Sequence, residues 1–233
     1  MRRQWRSKKN ALIYFIVQSV GSLSIFAGGV ISDIRSFTMK WIVLGLLIKL
    51  SLVPFHFWGP LLLIKMDELI SIIFLTWQKI APAFLLMIAS SKYVLFFLLI
   101  MNLTVGALYR IGSKSLPLLL FFSGLMHIGW IIAGPLNAGI VYFGLYCLSS
   151  VPILLNNGNL VLLMLNLGGL PPFTGFIIKI SMLQFTLLRQ GILILLISIG
   201  PLYAYTRCFL ISPLKKEKLK FSTILVCSAG LFI

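Results

Sequence analysis

Apolar stretches of membrane-spanning length follow one another from Ala11 to the end of the chain, and short runs between them hold most of the charge. A bilayer's hydrocarbon core needs about 20 apolar residues per helix. The pattern predicts helices over 10–31, 40–59, 68–89, 92–109, 116–134, 138–156, 159–188, 191–211 and 220–233, the last too short for a comfortable span. The expected fold is all-α: a single polytopic transmembrane bundle, 1–233, of about eight or nine helices behind a basic segment at 1–9. That segment, MRRQWRSKK, has the outline of a signal peptide. The apolar part, Ala11 to Ile31, is too long for an h-region and lacks a clear small-residue cleavage site, so it reads as a retained helix.

Three lysines interrupt this pattern near the middle of apolar segments: Lys49, Lys79 and Lys179. A lysine at the centre of a spanning helix costs about 2.5–3.5 kcal/mol on insertion. Three such costs in one chain call for a use of the charge. A buried amine can switch between charged and neutral forms, which is the chemistry of a proton or cation path. Helix-breaking residues cluster around the same lysines. In LIKLSLVPFHFW, Pro54 cannot bond the carbonyl of Leu50; in TWQKIAP, Pro82 frees the carbonyl of Gln78; in LGGLPPFTGFIIK, Gly168, Gly169, Pro171, Pro172 and Gly175 predict an interrupted helix before Lys179. Non-helical backbone at membrane depth is tolerated where it is buried in protein or lines a wet cavity. Proline also serves simple packing in membrane helices, but three coincidences with lysine favour a polar pathway.

Composition agrees with a membrane protein and excludes a separate soluble catalytic domain: 60% of residues are hydrophobic, 10% are charged, and mean hydropathy is +1.07. The net charge of +16 would suggest nucleic acid in a soluble chain; here it reads as topology, with no nucleic-acid partner. Threading the predicted helices puts Arg2, Arg3, Arg6, Lys8, Lys9, Lys65, Arg110, Lys114, Lys215, Lys216, Lys218 and Lys220 on one side, and only Arg35, Lys40, Lys92 and Arg189 on the other. Twelve against four places the N-terminus on the cytoplasmic or matrix side. Arg207 can snorkel from near a helix end.

The remaining polar residues divide into ordinary roles and one candidate. His127, in SGLMHIGW, lies mid-segment with Ser123 one turn earlier on the same face. A lone buried histidine is commonly a hydrogen-bonded packing residue; lysines at similar depth favour a relay role. His56 fits interface anchoring with Phe55, Phe57 and Trp58, and Trp77 and Trp130 fit packing. Asp67 and Glu68 fit helix capping, Glu217 a solvated loop, and Cys147, Cys208 and Cys227 lack metal spacing. No nucleotide loop, haem or iron–sulfur motif, or nucleophile triad is present, so the chain is expected to carry no redox chemistry, no metal and no cofactor of its own.

Four stretches in order, ALIYFIVQSVGS, KLSLVPFHFWGP with FLTWQKIAP, FFSGLMHIGW, and LGGLPPFTGFIIK, give the chain a family likeness from about Ala11 to at least Lys179. They resemble the chain 2 family of mitochondrial NADH–ubiquinone oxidoreductase (respiratory complex I), an antiporter-like membrane subunit. The resemblance implies a multi-pass inner-membrane protein of a proton-pumping complex. It implies that Lys49 and Lys179 belong to broken helices on a central hydrophilic axis, with Lys79 between them and His127 in the following helix. FMN, iron–sulfur clusters and ubiquinone are then expected on other subunits, and the partners are other membrane subunits and lipids, cardiolipin among them.

The chain departs from the family in three places, one of them the C-terminal helix, which is expected to be cut short. Family members carry helices before the one beginning at Ala11, one with a glutamate that pairs with the lysine matching Lys49. The expectation is either a shortened subunit, in which Lys49 is neutral, hydrated, or paired with a neighbour's carboxylate, or a protein that starts further upstream and carries the glutamate itself. Pro117 and Leu118 stand where the family usually has an arginine–lysine pair. The leading expectation is a proton-translocating subunit using Lys49, Lys79, His127 and Lys179. The rivals are a structural membrane subunit that no longer pumps and a free-standing cation/proton antiporter of the Mrp type.

Overall fold

A computed structural model describes residues 2–30, 35–113, 115–155, 160–170 and 173–184, with side chains placed outside 2–7, 35–37 and 160–161. Every element in it is helical: α1 (Arg2–Val30), α2 (Arg35–Leu50), α3 (Trp58–Leu63), α4 (Glu68–Leu75), α5 (Trp77–Ala89), α6 (Lys92–Gly112), α7 (Leu116–Ala133), α8 (Leu136–Leu154), α9 (Leu160–Gly168) and α10 (Thr174–Gln184). Among the described residues, five stretches are long and apolar enough to cross a membrane: Lys8–Val30, Glu68–Ala89, Lys92–Gly112, Leu116–Ala133 and Leu136–Leu154. The predicted helices 40–59 and 159–188 each appear as two shorter pieces, α2 with α3 and α9 with α10. The predicted helices 191–211 and 220–233, with Arg189, Arg207, Cys208, Cys227 and Glu217, lie outside the described residues, as do Pro171 and Pro172.

The bundle is organised around α7. Every residue from Leu119 to Ile132 is buried, because apolar side chains cover the helix all round and neighbours surround it. It packs on α6 and α8 along its length and also meets α3, α4, α5 and α10. A peripheral pair, α1 and α2, joins through small residues. A side chain on Gly45 would lie 2.6 Å from the Gly21 carbonyl, so the two backbones touch only because Gly45 has no Cβ. The outer face of α1 carries Leu12, Phe15, Leu23 and Phe26, all exposed.

The two broken helices stop their first halves with the same backbone device. In α2, the Leu52 N–H donates to the Leu47 carbonyl and the Ser51 N–H to the Ile48 carbonyl, both at 3.1 Å. In α9, the Leu170 N–H reaches the Leu165 carbonyl at 3.5 Å and the Gly169 N–H reaches Asn166 at 3.0 Å. This is Schellman closure, which needs a left-handed residue just past the end. Gly169 supplies it at φ +76°, and Ser51 at φ +51°.

Pro82 behaves differently from the sequence expectation. The helix α5 runs through it unbroken, and the dislocation lies at Thr76, six residues earlier. A proline ring crowds the carbonyl four residues before it, so its strain falls on the preceding turn. At Thr76 the hydroxyl and the N–H both donate to the Ile72 carbonyl, at 2.7 and 3.0 Å. A threonine bonded back in this way bends a helix.

Candidate functional site

Lys79 and His127 are placed on adjoining helices, α5 and α7, and both are buried, at 2% and 5% exposure. Lys79 points its amine over the Phe121 ring, 5.6 Å from the centroid, a cation–π arrangement that partly replaces lost water. His127 Nδ1 lies 2.9 Å from the Tyr142 hydroxyl on α8, and its ring is 5.2 Å from that of Tyr146. Ser123, predicted on the same face, instead donates to the Leu120 carbonyl of its own helix.

Lys179, half-buried on α10, reaches back across the second break. Its Nζ donates to the carbonyls of Gly168 at 2.8 Å and Leu167 at 3.2 Å, the last two of α9. These carbonyls form the negative end of the half-helix dipole, where a cation is favoured. Between Lys179 and His127 lies a cavity of about 20 Å³, measured as the space open to the centre of a water molecule. Tyr142, Tyr146, Ser149, Asn166 and Thr174 also line it. A polar cavity of that size with several partners can hold water.

Asn166 fixes the walls of this cavity. Its amide donates to Ser149 on α8 at 3.1 Å, while its oxygen accepts from the Thr174 hydroxyl at 2.9 Å and the Gly175 N–H at 3.0 Å. One side chain thus joins α8, α9 and the first turn of α10. A counterpart stands at the first break: Asn102 on α6 accepts from the Val53 N–H at 3.2 Å and donates to the Leu98 carbonyl at 2.7 Å.

Lys49 lies apart. It is half-buried at the α1–α2 contact, with its side chain against Gly21, and does not line the cavity. The structure therefore brings Lys79, His127 and Lys179 around α7, and leaves Lys49 on the peripheral pair. Among the described residues the carboxylates are Asp67 and Glu68, both exposed at the start of α4. Asp67 holds the cap position in extended conformation, yet its side chain makes no capping hydrogen bond.

Several residues sit elsewhere than their sequence context suggests. His56 is buried in the protein, its ring 5.7 Å from that of Tyr109. Arg110 is 2% exposed inside α6, not in a loop. The helix runs on to Gly112, so Arg110 falls on the stripe of Asn102, Gly106 and Ala107 that faces α7. Trp130 is packed as expected, whereas Trp77 is 74% exposed on the outside of α5. Cys147 is a half-buried free thiol.

A family model described as NADH:quinone oxidoreductase/Mrp antiporter, transmembrane, matches residues 29–161, more than half of the chain. The chain belongs to this family. The matched span includes Lys49, Lys79 and His127 and stops before Lys179. Among relatives of the family, NADH-ubiquinone oxidoreductase chain 2 of Myxine glutinosa is 30% identical, over 87% of this chain and 71% of the relative. The protein of the same name from Branchiostoma lanceolatum is 33% identical, over 70% of this chain and 58% of the relative. Two solved structures share the fold. A chain of respiratory complex I from Thermus thermophilus, with bound aureothin, superposes with TM-score 0.77 at 21% identity, over 96% of this chain and 65% of that one. A chain of the Mrp complex from Dietzia sp. DQ12-45-1b gives 0.75 at 16% identity, over 86% of this chain and half of that one.

Proposed function

We propose that this chain is an antiporter-like membrane subunit of a proton-translocating NADH:quinone oxidoreductase, passing protons between Lys79, His127 and Lys179. The observation that carries this reading is the polar cavity between His127 and Lys179, with Lys79 buried close by. Amines and an imidazole can each take and release a proton, and the lining hydroxyls can hand one on without becoming charged. The energy comes from quinone reduction elsewhere in the complex, where FMN, iron–sulfur clusters and ubiquinone reside. The relatives' names and the basic bias support a mitochondrial inner-membrane location with the N-terminus on the matrix side. The exposed apolar face of α1 fits contact with neighbouring membrane subunits or lipid, cardiolipin included.

A scaffold role has one observation in its favour: of the three lysines expected from the sequence to form the axis, Lys49 and Lys79 both lie outside the cavity lining. Lys79→Met separates the two readings, since methionine keeps the volume without a titratable group. The expected result is an assembled complex with reduced proton translocation and slower coupled NADH oxidation. Wild-type translocation in an assembled Lys79→Met complex moves the chain into the scaffold class.

A further inference from the structure

Lys79 Nζ and the Tyr146 hydroxyl are buried polar atoms that lack a hydrogen-bond partner among the described residues. Ser150, one turn beyond Tyr146, is the hydroxyl nearest to it along α8, and donates to the Cys147 carbonyl at 3.5 Å, at the long limit for a hydrogen bond. The two atoms crowd a single point. A Cβ added to Gly124 would lie 2.8 Å from the Tyr146 oxygen and 3.4 Å from Lys79 Nζ. The two atoms therefore lie no more than about 6.2 Å apart and are not bonded to each other, and one bridging water spans roughly 5.5 Å through two hydrogen bonds. Because residue 124 is glycine, no side chain fills that point. Buried polar groups in such a position are ordinarily satisfied by water.

Tyr146 also faces the other way. It lines the cavity shared with His127, Tyr142 and Lys179, and its ring is 5.2 Å from the His127 ring. We propose that Tyr146 is a relay residue joining Lys79 to His127, through one water that bridges the two polar groups where they converge beside Gly124. This rests on the proton-path reading above and names the link that path needs between α5 and α7.

The transfer balances without any charge resting on Tyr146. The Lys79 ammonium gives a proton to the bridging water, which passes one of its own to the Tyr146 oxygen. Tyr146 releases its original hydroxyl proton to water in the cavity, and that water protonates His127 Nε2, whose lone pair is free in the tautomer in which Nδ1–H donates to the Tyr142 oxygen. Lys79 ends neutral, His127 ends as imidazolium, and tyrosine and both waters are unchanged. A tyrosine hydroxyl suits the step because it donates and accepts at once.

The test compares Tyr146→Phe, Gly124→Ala and Lys79→Met in assembled complex in sealed membrane vesicles, reading proton translocation per NADH oxidised and the amount of complex. The expected result is that Tyr146→Phe lowers translocation to the level of Lys79→Met, with Gly124→Ala in between, at unchanged complex content. Wild-type translocation in Tyr146→Phe beside an impaired Lys79→Met overturns the Tyr146 relay and leaves the path standing. Wild-type translocation in Lys79→Met overturns the path itself, and the relay with it. If Tyr146→Phe does not assemble, the unsubstituted complex decides at a resolution that shows water. An ordered water bonded to both Lys79 Nζ and the Tyr146 hydroxyl is expected, and its absence from well-resolved density there overturns the proposal.

Discussion

At the end of α2 the last two carbonyls belong to Lys49 and Leu50, and at the end of α9 to Leu167 and Gly168. The backbone closes in the same manner at both, yet different groups answer those carbonyls. The Lys49 carbonyl accepts from Gln18 Nε2 at 3.4 Å, and the Leu50 carbonyl from the Ser51 hydroxyl at 2.7 Å. At the second break a single ammonium, Lys179, serves both. The first terminus is thus closed by neutral donors and the second by a cation that can leave when it loses its proton. What differs is the lysine's place in the sequence. Lys49 precedes its break and forms part of the terminus through its backbone, so its own amine is not held by it. Lys179 follows its break by ten residues and folds back onto it. A buried lysine beside a helix break is therefore not one kind of object: its position before or after the break decides whether the break can sense its charge.

Removing the charge gives the largest expected contrast. Lys179→Met leaves two carbonyls of α9 without donors, and hydrogen bonds to charged groups contribute about 1.5–3 kcal/mol each. Amide exchange over residues 165–170 in the assembled complex should accelerate by an amount equivalent to about 3 kcal/mol. The matching Lys49→Met should leave exchange at residues 47–52 within a few-fold of wild type. Equal acceleration at both breaks would erase the distinction between them.

The asparagines sharpen the comparison at a smaller scale. Asn166→Leu removes one bond to α8 and two to the start of α10, whereas Asn102→Leu removes one bond to the first break. Losses of about 2–3 and about 1–2 kcal/mol follow at roughly 1 kcal/mol per bond, increased by the polar atoms left unpaired. Thermal unfolding of the assembled complex should show Asn166→Leu as the weaker of the two. The reverse order would make the second break rely on Lys179 alone.

Both breaks were legible in the sequence because local chemistry makes them: Pro54 cannot donate, and Gly168–Gly169 before two prolines cannot continue a helix. Lys79 and His127 were legible as titratable groups at mid-span, and their burial followed. Asn102 and Asn166 were not, since a mid-helix asparagine looks alike in sequence whether it faces a break or a lipid. Tyr142 and Tyr146 were hidden for a related reason: both sit among the apolar residues of α8, and their hydroxyls come near His127 and Lys79 only after α5, α7 and α8 pack. Arg110 was misplaced because charge suggested a loop, while the length of α6 set its face. Thr76 escaped notice because nothing in an apolar stretch of sequence shows that a threonine's hydroxyl will bond back to the preceding turn.

The left-handed residues offer a third comparison. Gly169→Ala puts a Cβ at φ +76° and 2.8 Å from Lys179 Nζ, so it both strains the turn and pushes the amine off its carbonyls. A cost of about 1–2 kcal/mol is expected from the left-handed conformation alone. Ser51→Gly relieves that conformation at the first break but loses the hydroxyl's bond to Leu50, two effects of about 1 kcal/mol that oppose each other. Thermal midpoints should fall clearly for Gly169→Ala and stay near wild type for Ser51→Gly.

The smallest effect is expected at Gln18. Its amide donates to the Lys49 carbonyl at 3.4 Å, at the long limit for a hydrogen bond, from the partly buried contact between α1 and α2. A neutral bond that long contributes less than about 0.5 kcal/mol, below the usual net value near 1. Close packing of Gly21 and Gly45 holds the same two helices together without it. Gln18→Leu should therefore leave the thermal midpoint and the exchange rates at residues 47–52 unchanged within error, while Lys179→Met shifts both at the other break. A large loss for Gln18→Leu would show that the first break depends on its side-chain donor as the second does, and that the two differ in charge only.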